Sequence, residues 1–296
     1  MAMTWGLAVK NIRNILKEYL VKNNLKSLVI GESGGIDSAL VTVLAKPVCR
    51  DLNIPMIGCS LPQATNLQAE LDRAATIGRC FCTEFVEVPI DCVFSAYKEF
   101  ILNKYSENES DRFNKIALGN IKARIRMGFL FDVAYRRRGM VLSTDNLTEL
   151  LLGFWTLHGD VGNYGMIQNL WKTEVYELSA WLRAYELEDL TCNQALKACE
   201  DAVPTDGLGI TNSDLDQLGE PTYLQVDNIL KTWLTTDIDS YFCDDYLKYP
   251  GRIDNVGDFF NYRETLSTHP VIVRHIATGF KRKDPLNLTR EQIFTY

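Results

Sequence analysis

The chain has 296 residues, with 31 Lys and Arg against 38 Asp and Glu for a net charge of −7, and it is 46% hydrophobic and 23% charged. This composition excludes disordered and collagen-like classes and fits one large globular domain or two small ones. No apolar run reaches the ~20 residues of a membrane helix, and the amino end lacks the basic lead and apolar run of a signal peptide.

A cytoplasmic protein without membrane contact is therefore expected. The acidic balance argues against broad binding to nucleic acid, which needs a basic surface. Two basic triplets, Arg136-Arg137-Arg138 and Lys281-Arg282-Lys283, read as solvated helix ends or loops.

In chain order, the amphipathic spacing of Ile12, Ile15, Leu16, Tyr19 and Leu20 predicts an opening helix. Strands are predicted at 27–30, 54–60, 85–88 and 139–143, and helical apolar spacing at 39–45, 66–79, 93–105 and 116–135. Such alternation predicts an α/β fold: a three-layer open parallel sheet flanked by helices, with ligands at the carboxyl ends of the strands. From about 190 to 222 the acids Asp201, Asp206, Asp214 and Asp216 with Pro204 and Pro221 read as a lid-like segment. A helical tail follows over about 223–296, with helices near 223–234 and 269–279. The simplest parse is a single domain over 1–296. The eight cysteines, at 49, 59, 80, 82, 92, 192, 199 and 243, form no C-x-x-C pair and read as reduced thiols. Cys80 and Cys82 are expected on one face of a strand.

The strongest local signal is Gly31-Glu32-Ser33-Gly34-Gly35-Ile36-Asp37-Ser38, after a predicted strand and before a helix. Small residues there let backbone N–H groups approach an anion, and the helix amino end adds its positive dipole end. The run lacks the Gly-Lys-Ser/Thr ending of a Walker A loop and the spacing of a dinucleotide fingerprint.

Ser33-Gly34-Gly35-Ile36-Asp37-Ser38 resembles the SGGxDS loop of ATP pyrophosphatases, a superfamily of NAD, GMP and asparagine synthetases and RNA-thiolating enzymes. Two later blocks choose among these. Gly119-Asn120-Ile121-Lys122-Ala123-Arg124-Ile125-Arg126-Met127 resembles the GNxKARxRM helix of NAD synthetases. Ser143-Thr144-Asp145-Asn146-Leu147-Thr148-Glu149, with Gly153-Phe154-Trp155-Thr156 and Gly159-Asp160, resembles their GTDxxxE…GFFT…GD segment. Leu208-Gly209-Ile210-Thr211 and Phe280-Lys281-Arg282 extend the likeness over most of the chain.

The resemblance implies ATP-dependent amidation of deamido-NAD to NAD by ammonia, through an adenylate, with release of AMP and pyrophosphate. It places ATP on residues 31–38 with Thr144 and Lys172, gives Asp37 and Lys172 catalytic roles, and gives Mg²⁺ to Asp37 and Glu149. Deamido-NAD falls to Arg124, Asp160 and Lys281, bound across the contact of a homodimer. In isolation Asp37 reads as a helix cap, Glu149 as an exposed acid, Lys172 as a solvated amine and Arg124 as a surface salt bridge. Mg²⁺ suits carboxylates beside phosphates. The cradle begins some thirty residues from Met1, so a preceding glutamine amidohydrolase domain is not expected, and ammonia is the expected nitrogen source, free or from a partner glutaminase.

The chain departs from the family at Ser60, Asn146, Leu157 and Phe280, where the family carries Arg, His, Lys and His. A Pro-Thr-Ala-Asp-Leu segment that reaches ATP is replaced by something like Thr191-Cys192-Asn193-Gln194-Ala195-Leu196. His158 and His275 read as structural. The competing readings are another adenylate-forming amidotransferase or RNA thiolase, and a nucleotide-binding module without catalysis.

Overall fold

In the computed structural model, residues 5–105, 110–205, 213–236 and 266–283 are described. The strands expected from the sequence form one parallel sheet from β1 (Leu28–Gly31), β2 (Met56–Ser60), β3 (Glu84–Glu87) and β4 (Met140–Ser143). A fifth strand, β5 (Tyr164–Gly165), pairs with β4 and completes the order β3-β2-β1-β4-β5. Two residues are too short to leave a periodic pattern.

Strands buried on both faces read as continuous apolar runs, and alternate side chains leave for opposite layers. Leu28, Ile30, Met56, Met140 and Leu142 enter a core with α1 (Trp5–Lys22), α2 (Ile36–Leu52), α3 (Gln68–Phe81), α7 (Lys172–Tyr185) and α8 (Leu190–Glu200). Val29, Ile57, Cys59 and Val141 point the other way, onto Met127, Leu130 and Ala134 of α5 (Asp111–Arg136). Helix α4 (Asp91–Tyr105) packs beside α5. A third cluster joins α6 (Leu147–Leu152) and Trp171 to a short helix α9 (Asp214–Leu218), α10 (Tyr223–Thr236) and α11 (Pro270–Ala277).

Two expectations are corrected. The lid-like segment expected from about 190 opens with helix α8, which buries Ala195, Leu196 and Cys199 and is capped by the Asp189 carboxylate, which accepts from Cys192 N at 2.8 Å. Helical burial there outweighs the polar composition. Cys80 lies inside α3 and Cys82 at its C-cap, because Ile77 and Phe81, four apart, bury one helix face. The expected strand pair does not form. The Leu208–Thr211 motif (208–211), Cys243 and most of the tail lie outside the described residues.

The connections place the site. From β1 the chain moves outward through β2 to β3, then crosses back to β4 on the other side of β1. The crevice beyond the carboxyl ends of β1 and β4 is thus the topological switch point of the sheet, where open α/β folds bind ligands.

Candidate active site

Residues 31–38 leave β1 and turn into α2, whose first turn begins at Ile36. Gly34 adopts φ +79°, and a Cβ there would collide with the Glu70 carbonyl oxygen of α3, so only glycine fits. Ser33 Oγ accepts from Gly35 N at 3.2 Å and lies 3.2 Å from Ser38 Oγ, which donates to Gly35 O. The hydroxyls hold the turn in shape while the amino end of α2 faces the crevice.

Opposite the turn, β4 runs into Thr144, Asp145 and Asn146. The Asn146 side chain caps α6, with Oδ1 accepting from Glu149 N at 3.0 Å, while its Nδ2 donates to Asp37 Oδ1 at 2.8 Å. Lys172 opens α7 and is 3% exposed. Its Nζ donates to Asp37 Oδ2 at 2.5 Å and Glu149 Oε1 at 2.9 Å. One ammonium therefore ties the cradle to the far side of the switch point.

Lys172 is itself held. Its N–H donates to Thr148 Oγ1 at 2.9 Å, and that hydroxyl donates to the buried Asp227 Oδ1 of α10 at 2.6 Å. Asp227 Oδ2 also accepts from Thr173 N and Oγ1 at 2.9 and 2.8 Å. A carboxylate at the amino end of α7 complements the helix dipole as well. Asp227→Ala is expected to cost about 3 kcal/mol by leaving those donors unpaired, and to lower kcat through Lys172. Denaturant unfolding beside steady-state kinetics checks both, and a variant as stable as the parent chain would contradict the account.

Burial opposes the charge on Lys172, but Asp37 and Glu149 outweigh it and hold the ammonium well above its ordinary value. Glu149 is pushed up, first by burial and then by the charge of Asp37, despite Lys172. Asp145, which accepts from Ser143 Oγ at 2.6 Å, is pushed up to about 6, chiefly by burial, with Asp160 and Asp37 adding to it. The acids thus outnumber the cation supplied, a balance that further positive charge would relieve. No group of three His, Cys, Asp or Glu among the described residues is arranged to hold a metal. Asp37 and Glu149 nevertheless fit Mg²⁺, which takes one or two carboxylates with phosphate and water.

The crevice has a volume of about 640 Å³, within the range of small-molecule sites. Gly31, Glu32, Ser33, Gly35, Ile36, Asp37, Ser38, Thr144, Glu149, Asp160, Lys172 and Lys281 line it, so the structure brings together nearly all the expected residues; Gly34 sits within the turn behind them. Asp160 Oδ2 accepts from Thr156 N at 2.5 Å. Lys281 Nζ donates to Gly153 O at 2.7 Å and Trp155 O at 2.5 Å. With Arg274 on Leu152 O, His275 Nδ1 at Leu151 O and Arg282 on Leu151 O, it gathers at the carboxyl end of α6, where cations are favoured. The triplet at 281–283 is no solvated loop at Lys281 and Arg282. Arg136 and Arg137 do end a helix, paired with Asp132 and Glu84.

Arg124 is the exception. It is exposed, donates from Nε to Leu157 O at 3.1 Å, and does not line the crevice. Its bond goes to a backbone carbonyl in place of the surface salt bridge read in isolation. From the same helix it is Lys122 and Arg126 that reach the crevice. Of the departures, Ser60 lines the crevice, Asn146 binds Asp37, Leu157 offers its carbonyl to Arg124, and the Phe280 side chain lies outside the described residues. Thr191–Leu196 (191–196) lies in α8, and Val203, Pro204 and Thr205 line the crevice instead. The Pro-Thr pair itself was the available signal. Asp145 and Arg126 stood inside the matched motif blocks but were given no role, and Arg73 and Asp227 were missed outright, each being in sequence one polar residue of a helix.

A glycine-rich anion cradle at the switch point of a five-stranded parallel sheet, faced by a lysine and two acids, defines an ATP pyrophosphatase of the adenine nucleotide alpha-hydrolase fold. Residues 8–242 match the family model described as NAD synthase, and the chain belongs to that family. It is 31% identical over 236 residues to the NH(3)-dependent NAD(+) synthetase of Campylobacter jejuni, covering 79% of this chain and 86% of that one. It is 29% identical over 225 residues to the glutamine-dependent NAD(+) synthetase of Thermotoga maritima, covering 76% of this chain but spanning only 37% of that protein. In fold it resembles the NMN synthetase of Francisella tularensis, with a TM-score of 0.72, 22% identity, and coverage of 97% of this chain and 98% of that one. No helix among the described residues is long and apolar enough to cross a membrane.

Proposed function

We infer that the chain performs the ATP-dependent amidation of deamido-NAD to NAD with ammonia, and that the crevice between β1 and β4 is where it does so. The observation that carries the reading is Lys172 Nζ bridging Asp37 of the cradle and Glu149 beyond β4. A carboxylate is a poor electrophile, so the nicotinate oxygen first attacks the α-phosphorus of ATP. The bond to the β-phosphate breaks, and its electron pair leaves with pyrophosphate on the cradle. Ammonia then attacks the acyl carbon, AMP departs, and the nitrogen sheds a proton to solvent. Backbone donors and Lys172 meet charge that grows on phosphate, where preorganised donors act most strongly. Asp37 and Glu149 would hold Mg²⁺, which would supply positive charge to the phosphate oxygens. Asp160 and Lys281, on the wall away from the cradle, take the acceptor, and the reaction is placed in the cytoplasm.

The thiolase reading requires a reactive cysteine. Cys59 and Cys199 line the crevice, and burial pushes both thiols up to about 12, which keeps them protonated and poorly nucleophilic.

Arg124 joins this scheme through a homodimer. On α5 it shares one face with exposed Phe113, Phe131 and Tyr135, and α4 beside it exposes Val93, Tyr97 and Phe100 on one face. An apolar face around an arginine fits a subunit contact that completes the acceptor site. Sedimentation that found a fully active monomer would end that assignment.

The test of the reaction is incubation with ATP, Mg²⁺, ammonium and deamido-NAD, following NAD and AMP. Nicotinate mononucleotide serves as a second acceptor, because the Francisella neighbour is named for the corresponding product. NAD and AMP in equal amounts are expected, lost on omitting Mg²⁺ and in Asp37→Ala. ATP binding without pyrophosphate release would instead identify a binding module.

A further inference from the structure

Arg73 stands on α3 beside the cradle, where its Nε donates to Gly34 O at 2.8 Å. That bond fixes the guanidinium plane against the middle of the turn, and the residue lines the same crevice. The bond from Nε is the one it makes among the described residues, so both terminal nitrogens have no protein acceptor there. The acids that precede it on its helix are already engaged: Glu70 Oε2 accepts from Asn66 Nδ2 and Leu67 N at 3.0 and 3.2 Å, and Asp72 Oδ1 accepts from Gln68 Nε2 at 2.9 Å. The charge reaches across to α8, where Arg73 lowers the pull that burial exerts on the Cys199 thiol.

A guanidinium held by Nε, and unpaired with any carboxylate among the described residues, presents a planar fork to the cavity. That geometry matches two oxygens of a phosphate, which arginine binds in bidentate fashion and lysine cannot. We propose that Arg73 is a phosphate-binding catalytic residue: its terminal nitrogens grip the β- and γ-phosphates of ATP from the α3 side and hold the pyrophosphate as it leaves. The bond from the α-phosphorus to the bridging oxygen breaks, the electron pair stays on pyrophosphate, and the guanidinium meets that charge without transferring a proton. The proposal rests on the ATP site assigned above.

A purely structural role for Arg73, bracing the Gly34 carbonyl, is separable. Distortion of the turn would weaken every ligand of the cradle and lower thermal stability. Loss of a phosphate cation would weaken only ligands that carry the β- and γ-phosphates. The experiment is calorimetric titration of the full chain, with Mg²⁺ constant, using inorganic pyrophosphate and AMP on the parent chain, Arg73→Gln and Arg73→Lys. Arg73→Gln is expected to bind pyrophosphate about tenfold more weakly, or about 1.4 kcal/mol, with AMP affinity and melting temperature unchanged. Arg73→Lys should recover part of the loss, and KM for ATP should rise while that for deamido-NAD holds. Unchanged pyrophosphate binding in Arg73→Gln, or equal losses for pyrophosphate and AMP, would overturn the proposal. A parent chain that bound neither pyrophosphate nor ATP would instead bring down the assignment of the ATP site.

Discussion

Replacing Lys172 with methionine should reduce the rate of pyrophosphate release by about 10³-fold or more, as expected for a donor that stabilises charge in the transition state. Methionine keeps most of the buried stem and removes the ammonium. The loss has two sources. The phosphate loses a cation, and Asp37 and Glu149, now facing each other without Nζ between them, repel the nucleotide. Breaking a buried ion pair from one side costs on the order of 3–5 kcal/mol, but Glu149 is already pushed up by burial and by Asp37, so it can take a proton and soften the cost. The stability loss should therefore be smaller at pH 6, where Glu149 can take that proton, than at pH 9. Chemical denaturation at both pH values, with single-turnover pyrophosphate release, checks the pair of claims. A variant that kept a tenth of the parent rate would remove Lys172 from the chemistry.

The same cluster shows what a sequence can carry. The cradle was legible because it is local: one strand, one turn and one helix within eleven residues of chain set its shape, and Gly34 is demanded by φ and by the Glu70 carbonyl. The parallel sheet was legible because strands buried on both faces leave apolar runs. Asp37, Glu149 and Lys172 were legible as types only. That the ammonium of Lys172 bridges Asp37, 135 positions away, and Glu149, 23 positions away, depends on the crossover from β3 back to β4, which no spacing encodes.

Arg124 illustrates the opposite limit. Helical periodicity puts Asn120 and Arg124 four residues apart on one helix face, yet Asn120 lines the crevice and Arg124 does not, because the phase of α5 relative to the sheet was free. Burial of Met127 and Leu130 against Val29 and Val141 fixes that phase, and it turns Gly119, Ala123 and Arg126 toward the crevice and Arg124 away. Likewise α8 was hidden because its polar residues outnumber the few that it buries, and only the docking on α2 and α3 shows which face is apolar. The departures at Asn146 and Ser60 do not dismantle the site: a neutral amide still reaches Asp37 and caps α6 at once.

Glu32, inside the cradle, should make the stability of the fold fall with rising pH, and Glu32→Gln should remove that part of the dependence. Its carboxyl is buried, with Oε1 2.5 Å from Thr42 Oγ1 and Oε2 without a partner. Burial pushes it from the ordinary 4.5 up to about 8, against the opposing pull of the Thr42 hydrogen bond. The neutral form also fits the geometry. Thr42 has one hydroxyl proton but two neighbours, Glu32 Oε1 and Ser38 O at 2.9 Å, and a proton on Glu32 lets both contacts be hydrogen bonds. Because the folded state keeps a proton that the unfolded chain releases, the stabilisation is complete below about 4.5 and is lost as pH rises through about 8. The full loss is on the order of 5 kcal/mol. Glutamine mimics the neutral acid but brings an amide into a site with one acceptor, costing about 1 kcal/mol. The variant should thus be slightly less stable than the parent at pH 5 and more stable at pH 9, with the two curves crossing between. Glu149 and Asp145 titrate over the same range, so the difference between the proteins, and not either profile alone, reports Glu32. Parallel profiles would show a charged or solvated Glu32, and a cradle anchored some other way. Crossing profiles would also predict that ATP binding weakens above pH 8 in the parent and holds in Glu32→Gln, since ionisation puts a negative charge directly beneath the turn that receives the phosphates.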